Sequence, residues 1–285
     1  MATYKIITDS CCDLYEEQYT RLDVTYVPLV LNYDGREYKS FIDDASMTAF
    51  YNRLREGMTA TTSAANPEHW ADAIRPALEA GQDALVITFS SALSTTYQSA
   101  VIAAQDLTEE FPERKIRVVD SLCAAMGQGL LVTLAAGKRD EGMNLEELTE
   151  WVETNKLHIC HWVTVDDLNH LKRGGRVSAT TAFVGTMLSI KPIIRMDDSG
   201  KLDTCGKVRG RKAAIDYIAS KMNDHITDRN LAFIAHGDCL EDAKALEKLV
   251  RGYGVEDVRI GNVGGVIGAH TGPGVLVVFF LGDHR

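Results

Sequence analysis

No apolar run in this sequence is long enough to cross a bilayer. The longest, Gly274 to Leu281, falls far short of the roughly 18 to 20 residues that a spanning helix needs. The opening residues, Met1 to Asp9, lack the apolar stretch and cleavage site of a secretory leader. Residence in the cytoplasm, with no stable membrane insertion, is therefore expected. No two of the six cysteines (Cys11, Cys12, Cys123, Cys160, Cys205 and Cys239) form a CxxC pair. Adjacent Cys11 and Cys12 cannot readily bridge each other, so reduced, mostly structural thiols are expected. A reactive thiol at the Cys11–Cys12 turn is the alternative. HExxH, EF-hand spacing and Cys/His clusters are all missing, so no metal is expected. His158 and His161 are three apart, a spacing that points to opposite faces in a strand. Neither a P-loop nor a GxSxG nucleophile elbow occurs.

Positive charge is also in deficit. The net charge of −10 argues against a general nucleic-acid binder. The distribution is uneven, however: Lys172 to Lys212 carries ten Lys/Arg and three Asp/Glu, a local +7 that leaves −17 elsewhere. That asymmetry suits an anionic ligand or an acidic protein partner, with a merely solvated basic face as the alternative. A nucleic-acid-binding regulator rests on this stretch alone.

The 285 residues, 45% hydrophobic and 25% charged, suffice for one large globular domain or two medium ones. Tyr4 to Thr8 reads as a strand and Asp13-x-x-Glu16 as a capping-box helix start. Val24 to Asn32 reads as one strand, followed by a hairpin turn at Asp34-Gly35. Ser46 to Glu56 is helical by period, and Asn66-Pro67 opens another helix as N-cap and first turn. Ala84 to Phe89 is a near-continuous apolar strand of the kind buried on both faces of a parallel sheet. Further strands and helices alternate to Asn155, which makes this half α/β with a largely parallel sheet.

The second half begins near His158. It reads as a strand to Val165, a helix from Asp167 to two glycines at 174–175, a helix over 180–188 and an extended run from Ile190 to Met196. A turn at Asp197 to Gly200 follows, then helix 211–224, strand 231–235 and helix 241–253. Strands near Val258 and over 275–281 flank a glycine-rich connection. Two α/β domains are expected, residues 1–160 and 161–285, the second with mixed α/β character.

Four segments are dense in hydroxyls beside strand or helix ends: Thr8-Asp9-Ser10, Thr61-Thr62-Ser63, Ser90 to Tyr97, and Asp120-Ser121. In an open α/β sheet ligands sit outside the carboxyl ends of strands, and such loops suit a carboxylate or phosphate. Ser and Thr are also plain N-caps, so only their repetition points to a common site. Leu171 to Ser178 places cations beside a flexible turn. Gly261 to Gly274 packs six glycines and His270 into fourteen residues, which lets backbone approach a ligand closely. A dinucleotide GxGxxG fits it poorly. These loops alone also allow an enzyme acting on a small anionic metabolite, with His270 as acid/base.

Taken in order, these segments resemble the DegV family of bacterial fatty-acid-binding proteins. The resemblance runs from Ile7-Thr8-Asp9-Ser10 and Asp13-Leu14 through Thr62-Ser63 and the serine loop Ser90-Ser91, Leu93-Ser94 and Thr96 to Ala100. It continues with Gly175-Arg176-Val177-Ser178, Ile190-Lys191-Pro192-Ile193, Lys207-Val208-Arg209 and the C-terminal Gly268 to Gly274. Two departures bear on acyl-chain preference. Ala64-Ala65-Asn66 replaces the usual Gln-Pro-Ser, and Ala92 and Thr95 stand where glycines are common.

The resemblance implies two α/β domains with a long-chain fatty acid held at or near their interface and no cofactor. It implies that Thr62, Ser94 and His270 bind the carboxylate, with Ser63, Ser91, Thr271 and Gly272 as further pocket residues. It implies service as the non-catalytic binding subunit of a fatty acid kinase in phospholipid metabolism. A separate ATP-binding subunit would dock near Arg209 and phosphorylate the carboxylate. No motif in this chain supplies the metal–ATP centre that phosphoryl transfer needs.

Overall fold

A computed structural model describes residues 4–39, 43–177 and 189–285. The first half runs β1 (Tyr4–Asp9), α1 (Glu16–Arg21), β2 (Val24–Val27), β3 (Val30–Tyr33), β4 (Arg36–Lys39), α2 (Asp44–Arg55), β5 (Thr61–Ser63) and α3 (Pro67–Glu79). It continues with β6 (Asp83–Thr88), α4 (Thr96–Glu110), β7 (Ile116–Asp120), α5 (Met126–Asp140) and α6 (Leu145–Asn155). The second half runs β8 (Ile159–Thr164), α7 (Asn169–Arg173), β9 (Ile190–Met196), β10 (Leu202–Arg209), α8 (Arg211–His225) and β11 (Leu231–His236). It closes with α9 (Leu240–Gly252), β12 (Asp257–Asn262), α10 (Gly265–Thr271) and β13 (Leu276–Leu281). Ser178 and the helix expected over 180–188 lie outside the described residues.

Three sheets form. The first is wholly parallel, in the order β2-β1-β6-β7. The second is mixed, in the order β10-β9-β8-β13-β11-β12, with only β11 and β12 parallel. A small antiparallel sheet, β4-β3-β5, stands beside them. The mixed α/β architecture expected from the sequence is therefore present.

Alternation along the strands assigns each face to a core. Ile6, Leu85 and Ile87 point to one side of the parallel sheet with α5, while Ile7, Ala84 and Val86 point to the other with Trp70 and Ile74 of α3. On the mixed sheet, Trp162, Ile234, Val278 and Phe280 pack against α8 and α9. Val163, Phe233, Val277 and Phe279 on the opposite face join the α5 core. Helix α5 thus forms a layer between the two large sheets, which suits its nearly uninterrupted Ala/Gly/Leu run.

Several local expectations change. The single strand expected over 24–32 is two strands in different sheets. Pro28, which has no N–H to donate, sits in the break between them. Asp13 does not cap α1. It ends a 3₁₀ turn over Ser10–Cys12 with φ of 51° and is buried, and α1 starts three residues later at Glu16, after Tyr15, whose N–H the Gln18 side chain accepts at 2.8 Å. The glycine-rich connection before the last strand contains helix α10, so His270 lies on a helix rather than in a loop.

Candidate functional site

The parallel strands end in loops that face the mixed sheet. Residues 89–95 follow β6 and 121–125 follow β7. Opposite them, β8 and β13 present one face with Val163 paired to Val277 and His161 to Phe279. Met196 of β9, paired to Leu202 of β10, extends this floor. Helix α10 and the segment around α7 close the remaining sides. The cavity between them is about 430 Å³, within the size range of small-molecule sites. Sixteen of its twenty-four lining side chains are apolar, a lining matched to an apolar ligand body with few polar anchors.

The polar anchors come from five separate segments. Thr62 lies in β5, paired to Leu31, and its Oγ1 is 2.8 Å from His270 Nε2 on α10. His270 can stand there because its neighbours make room. Gly174 presses on the ring: a Cβ on Gly174 would come within 2.3 Å of His270 Nδ1. Gly268 allows α10 to lie against Tyr51, whose hydroxyl would be 2.6 Å from a Cβ at that position. Tyr51 in turn donates to the Val263 carbonyl at 2.8 Å, just before α10. Burial, reinforced by the positive charge of Arg176, lowers the His270 pKa to about 4. The ring is therefore neutral at pH 7, with one nitrogen able to donate and one to accept.

Ser94 lines the same cavity. Its Oγ shares a hydrogen bond with Thr96 Oγ1 at 2.7 Å and accepts the Thr96 N–H at 3.3 Å, at the entry to α4. Ser91 and Thr271 also line it; the Ser91 N–H donates to Asp120 Oδ1 and the Thr271 hydroxyl to the Ile267 carbonyl. Ser63 and Gly272 are not among the lining residues. Ser63 follows Thr62 on β5 and so turns outward to solvent, while Gly272 ends α10 with φ of 75°. Arg209 is exposed at the end of edge strand β10 and does not line the cavity.

Arg176, which the reading of individual residues left unassigned, is a cavity-lining cation. Its Nε donates to the Leu93 carbonyl at 3.2 Å and its Nη1 to the Gly174 carbonyl, so it spans from the α7 turn to the serine loop. Its signal was present in the Lys172 to Arg176 cluster, where nothing distinguished an inward cation from a solvated one. His161, set aside when metal spacing was considered, also lines the cavity. Its Nε2 accepts the Ala124 N–H at 3.1 Å. Burial is the first cause that lowers its pKa, to about 3, so it serves as a neutral acceptor.

Asp9 holds the serine loop from below. This wholly buried carboxylate accepts the Phe89 N–H at 2.7 Å and the Cys11 N–H at 3.0 Å. Burial raises its pKa to about 6. Ser90 Oγ ties the other side of the loop to the Gly200 carbonyl at 2.8 Å. Cys11 and Cys12 are both buried, and burial pushes their thiols well up, away from thiolate chemistry.

The basic stretch is partly neutralised. Arg211 pairs with Asp166 and with Asp242, and Lys191 with Asp166. Lys212 pairs with Asp216 and Arg195 with Asp203. Arg209 is exposed at the end of β10, beside half-buried Val208. Among the described residues, no helix is long and apolar enough to cross a membrane.

Comparison with known proteins adds to this geometry. Residues 3–283 match a family model described as an uncharacterised protein of the DegV family. A DegV domain-containing protein of Clostridium perfringens is 44% identical, with 100% of this chain and 99% of that protein covered. A solved DegV family protein from Thermus thermophilus, described as fatty-acid binding, is 32% identical with a TM-score of 0.86; 97% of this chain and 98% of that chain are covered. A fatty-acid-binding DegV protein from Bacillus subtilis is 27% identical with a TM-score of 0.83; 98% of this chain and 99% of that chain are covered.

Proposed function

The chain belongs to the DegV family, and on that premise we propose that it binds a long-chain fatty acid in the cavity between its two large sheets. The observation that carries this reading is a hydrogen-bonded Thr62–His270 pair inside a cavity whose lining is otherwise mostly apolar. The acyl chain would lie along Val163, Val277, Phe279 and Met196. Burying about 14 methylenes at ~0.8 kcal/mol each contributes ~11 kcal/mol gross, reduced by the cost of ordering the chain. The carboxylate, once out of bulk water, must be hydrogen-bonded. Thr62 and Ser94 would donate hydroxyls and His270 its Nε2–H, the Thr62–His270 and Ser94–Thr96 bonds giving way to bonds with the carboxylate, with the Arg176 charge nearby.

The finer reading is that the protein serves in the cytoplasm as the carrier subunit of a fatty acid kinase. A separate subunit would bring ATP and move its γ-phosphoryl group to a carboxylate oxygen, releasing ADP and leaving an acyl phosphate. Arg209 on the exposed edge β10 would dock that subunit. The two domains would span residues 1–160 and 161–285. An enzyme using His270 as a base on a small metabolite is less well supported: a ring with a pKa near 4 is a weak base at pH 7.

The test is calorimetric titration of delipidated protein with a long-chain fatty acid and with a short-chain carboxylate of the same head group. Tight one-to-one binding of the long chain alone is expected. Equal binding of both would move the affinity from the apolar lining to the head group and overturn the lipid reading.

A further inference from the structure

At the end of α8 the chain lies beside its own last strand. His225 closes α8, and Asp283 and His284 come just after β13. Asp283 Oδ1 is 3.2 Å from His225 Nδ1 and 2.8 Å from His284 Nδ1. The two imidazole rings stand edge to face with centroids 4.6 Å apart. One ligand atom from each of the three residues falls within 4.8 Å of the others. We propose that His225, Asp283 and His284 form a binding site for a divalent transition-metal cation of the zinc class, held by two imidazole nitrogens and one carboxylate oxygen.

The donor set selects the metal. Two imidazoles with one carboxylate suit zinc, cobalt or nickel, whereas magnesium and calcium prefer oxygen alone. Metal–ligand bonds of about 2.0–2.2 Å place the ligand atoms of a tetrahedral site roughly 3.3 Å apart. Asp283 Oδ1 already lies close to that distance from both imidazole nitrogens, at 3.2 and 2.8 Å.

The backbone already holds the three residues together. The Asp283 N–H donates to the His225 carbonyl at 2.9 Å, and the Thr227 N–H to the Leu281 carbonyl at 3.0 Å. The Gly282 N–H donates to the His158 carbonyl at 2.8 Å, and the Cys160 thiol to the His284 carbonyl at 3.0 Å. A cation here also sits at the C-terminal end of a fifteen-residue helix, where the carbonyl dipoles favour positive charge. Asp283 and His284 are exposed and His225 half-buried, which leaves an entry path and coordination positions for water.

None of the three residues lines the fatty-acid cavity, so this site stands apart from the proposed function. Its consequence is structural. The next residue, Arg285, is buried and donates to the Ile159 and Asp197 carbonyls and to Cys123 Sγ. A metal at this position would clamp the segment that inserts Arg285 between the start of β8 and the loop before α5.

The test uses the full chain, free of any affinity tag and stripped with a chelator. Zinc is titrated in competition with a fluorescent chelator, and melting is followed with and without zinc. One zinc per chain is expected, with a rise in melting temperature. Affinity should weaken on acidification, because protons compete with the metal for imidazole nitrogens. Asp283→Asn, which preserves shape, should lower affinity at least about tenfold. His225→Ala/His284→Ala should abolish the zinc-dependent melting shift while keeping the metal-free melting profile and fatty-acid uptake. Zinc binding by the double variant equal to that of the unmodified chain, or none by the folded unmodified chain, would overturn the proposal.

Discussion

Thr62 and His270, separated by more than two hundred positions in the chain, meet at 2.8 Å. Losing one of several hydrogen-bonding partners at a buried polar group costs about 1–3 kcal/mol. Thr62→Ala/Ser94→Ala/His270→Ala should therefore weaken fatty-acid retention by well over about tenfold, measured by titration, while the circular dichroism spectrum is unchanged. Retention equal to the parent would remove these three from the head-group site.

Asp9 makes a second residue-scale prediction. Its folded pKa of about 6 lies above the ordinary carboxyl value, so the folded state binds this proton more tightly than the unfolded chain does. Its contribution is most favourable below about pH 4, falls by about 3 kcal/mol as the pH rises to 6, and is flat beyond. The stability of the parent minus that of Asp9→Asn, from denaturant melts, should fall across that window. A difference that rises with pH would contradict the assignment. Asn also cannot accept both the Phe89 and the Cys11 N–H as the carboxylate does. Asp9→Asn should thus also loosen the serine loop and lower fatty-acid retention.

At the scale of elements, periodicity and capping were legible where local chemistry dominates. The Asn66-Pro67 start, the Asp34-Gly35 hairpin and the buried strand after residue 83 all form as the residues dictate. Reading failed where partners distant in sequence decide. Residues 24–33 are mostly apolar and read as one strand-like run, but Pro28 interrupts them and the two parts join different sheets as β2 and β3. Helix α10 is hidden by its glycines, which lower helix propensity; its reason lies in Tyr51, against which Gly268 must fit. Gly268→Ala should accordingly cost about 1–3 kcal/mol in global stability, by overpacking against that ring. Gly174→Ala is different, because its Cβ would meet the rim of His270 rather than a core aromatic. It should lower fatty-acid retention more than stability, and a melting point that drops as far as for Gly268→Ala would contradict that distinction.

For the whole molecule, the order of motifs along the chain identified the family better than any single residue. Thr62, Ser91, Ser94, Thr271 and His270 were legible as hydroxyl-rich segments and one glycine-flanked His, whereas the cavity-lining Arg176 and His161 were not. The apolar lining was not, because Val163, Val277 and Phe279 are indistinguishable in sequence from ordinary core residues until register places them on one face. The basic excess over 172–212 was visible too, but its Arg211 proves occupied by Asp166 and Asp242, which leaves β10 as the docking candidate. Arg209→Ala should keep fatty-acid binding and lose kinase-dependent acyl phosphate formation. Unchanged coupling would take Arg209 out of the interface.

Native mass spectrometry of the protein purified without delipidation tests the central claim most directly. The account predicts a folded chain carrying one long-chain fatty acid, released on collisional activation and absent from the Thr62→Ala/Ser94→Ala/His270→Ala protein. A folded chain at its bare mass, which also takes up no added long-chain fatty acid, would contradict it.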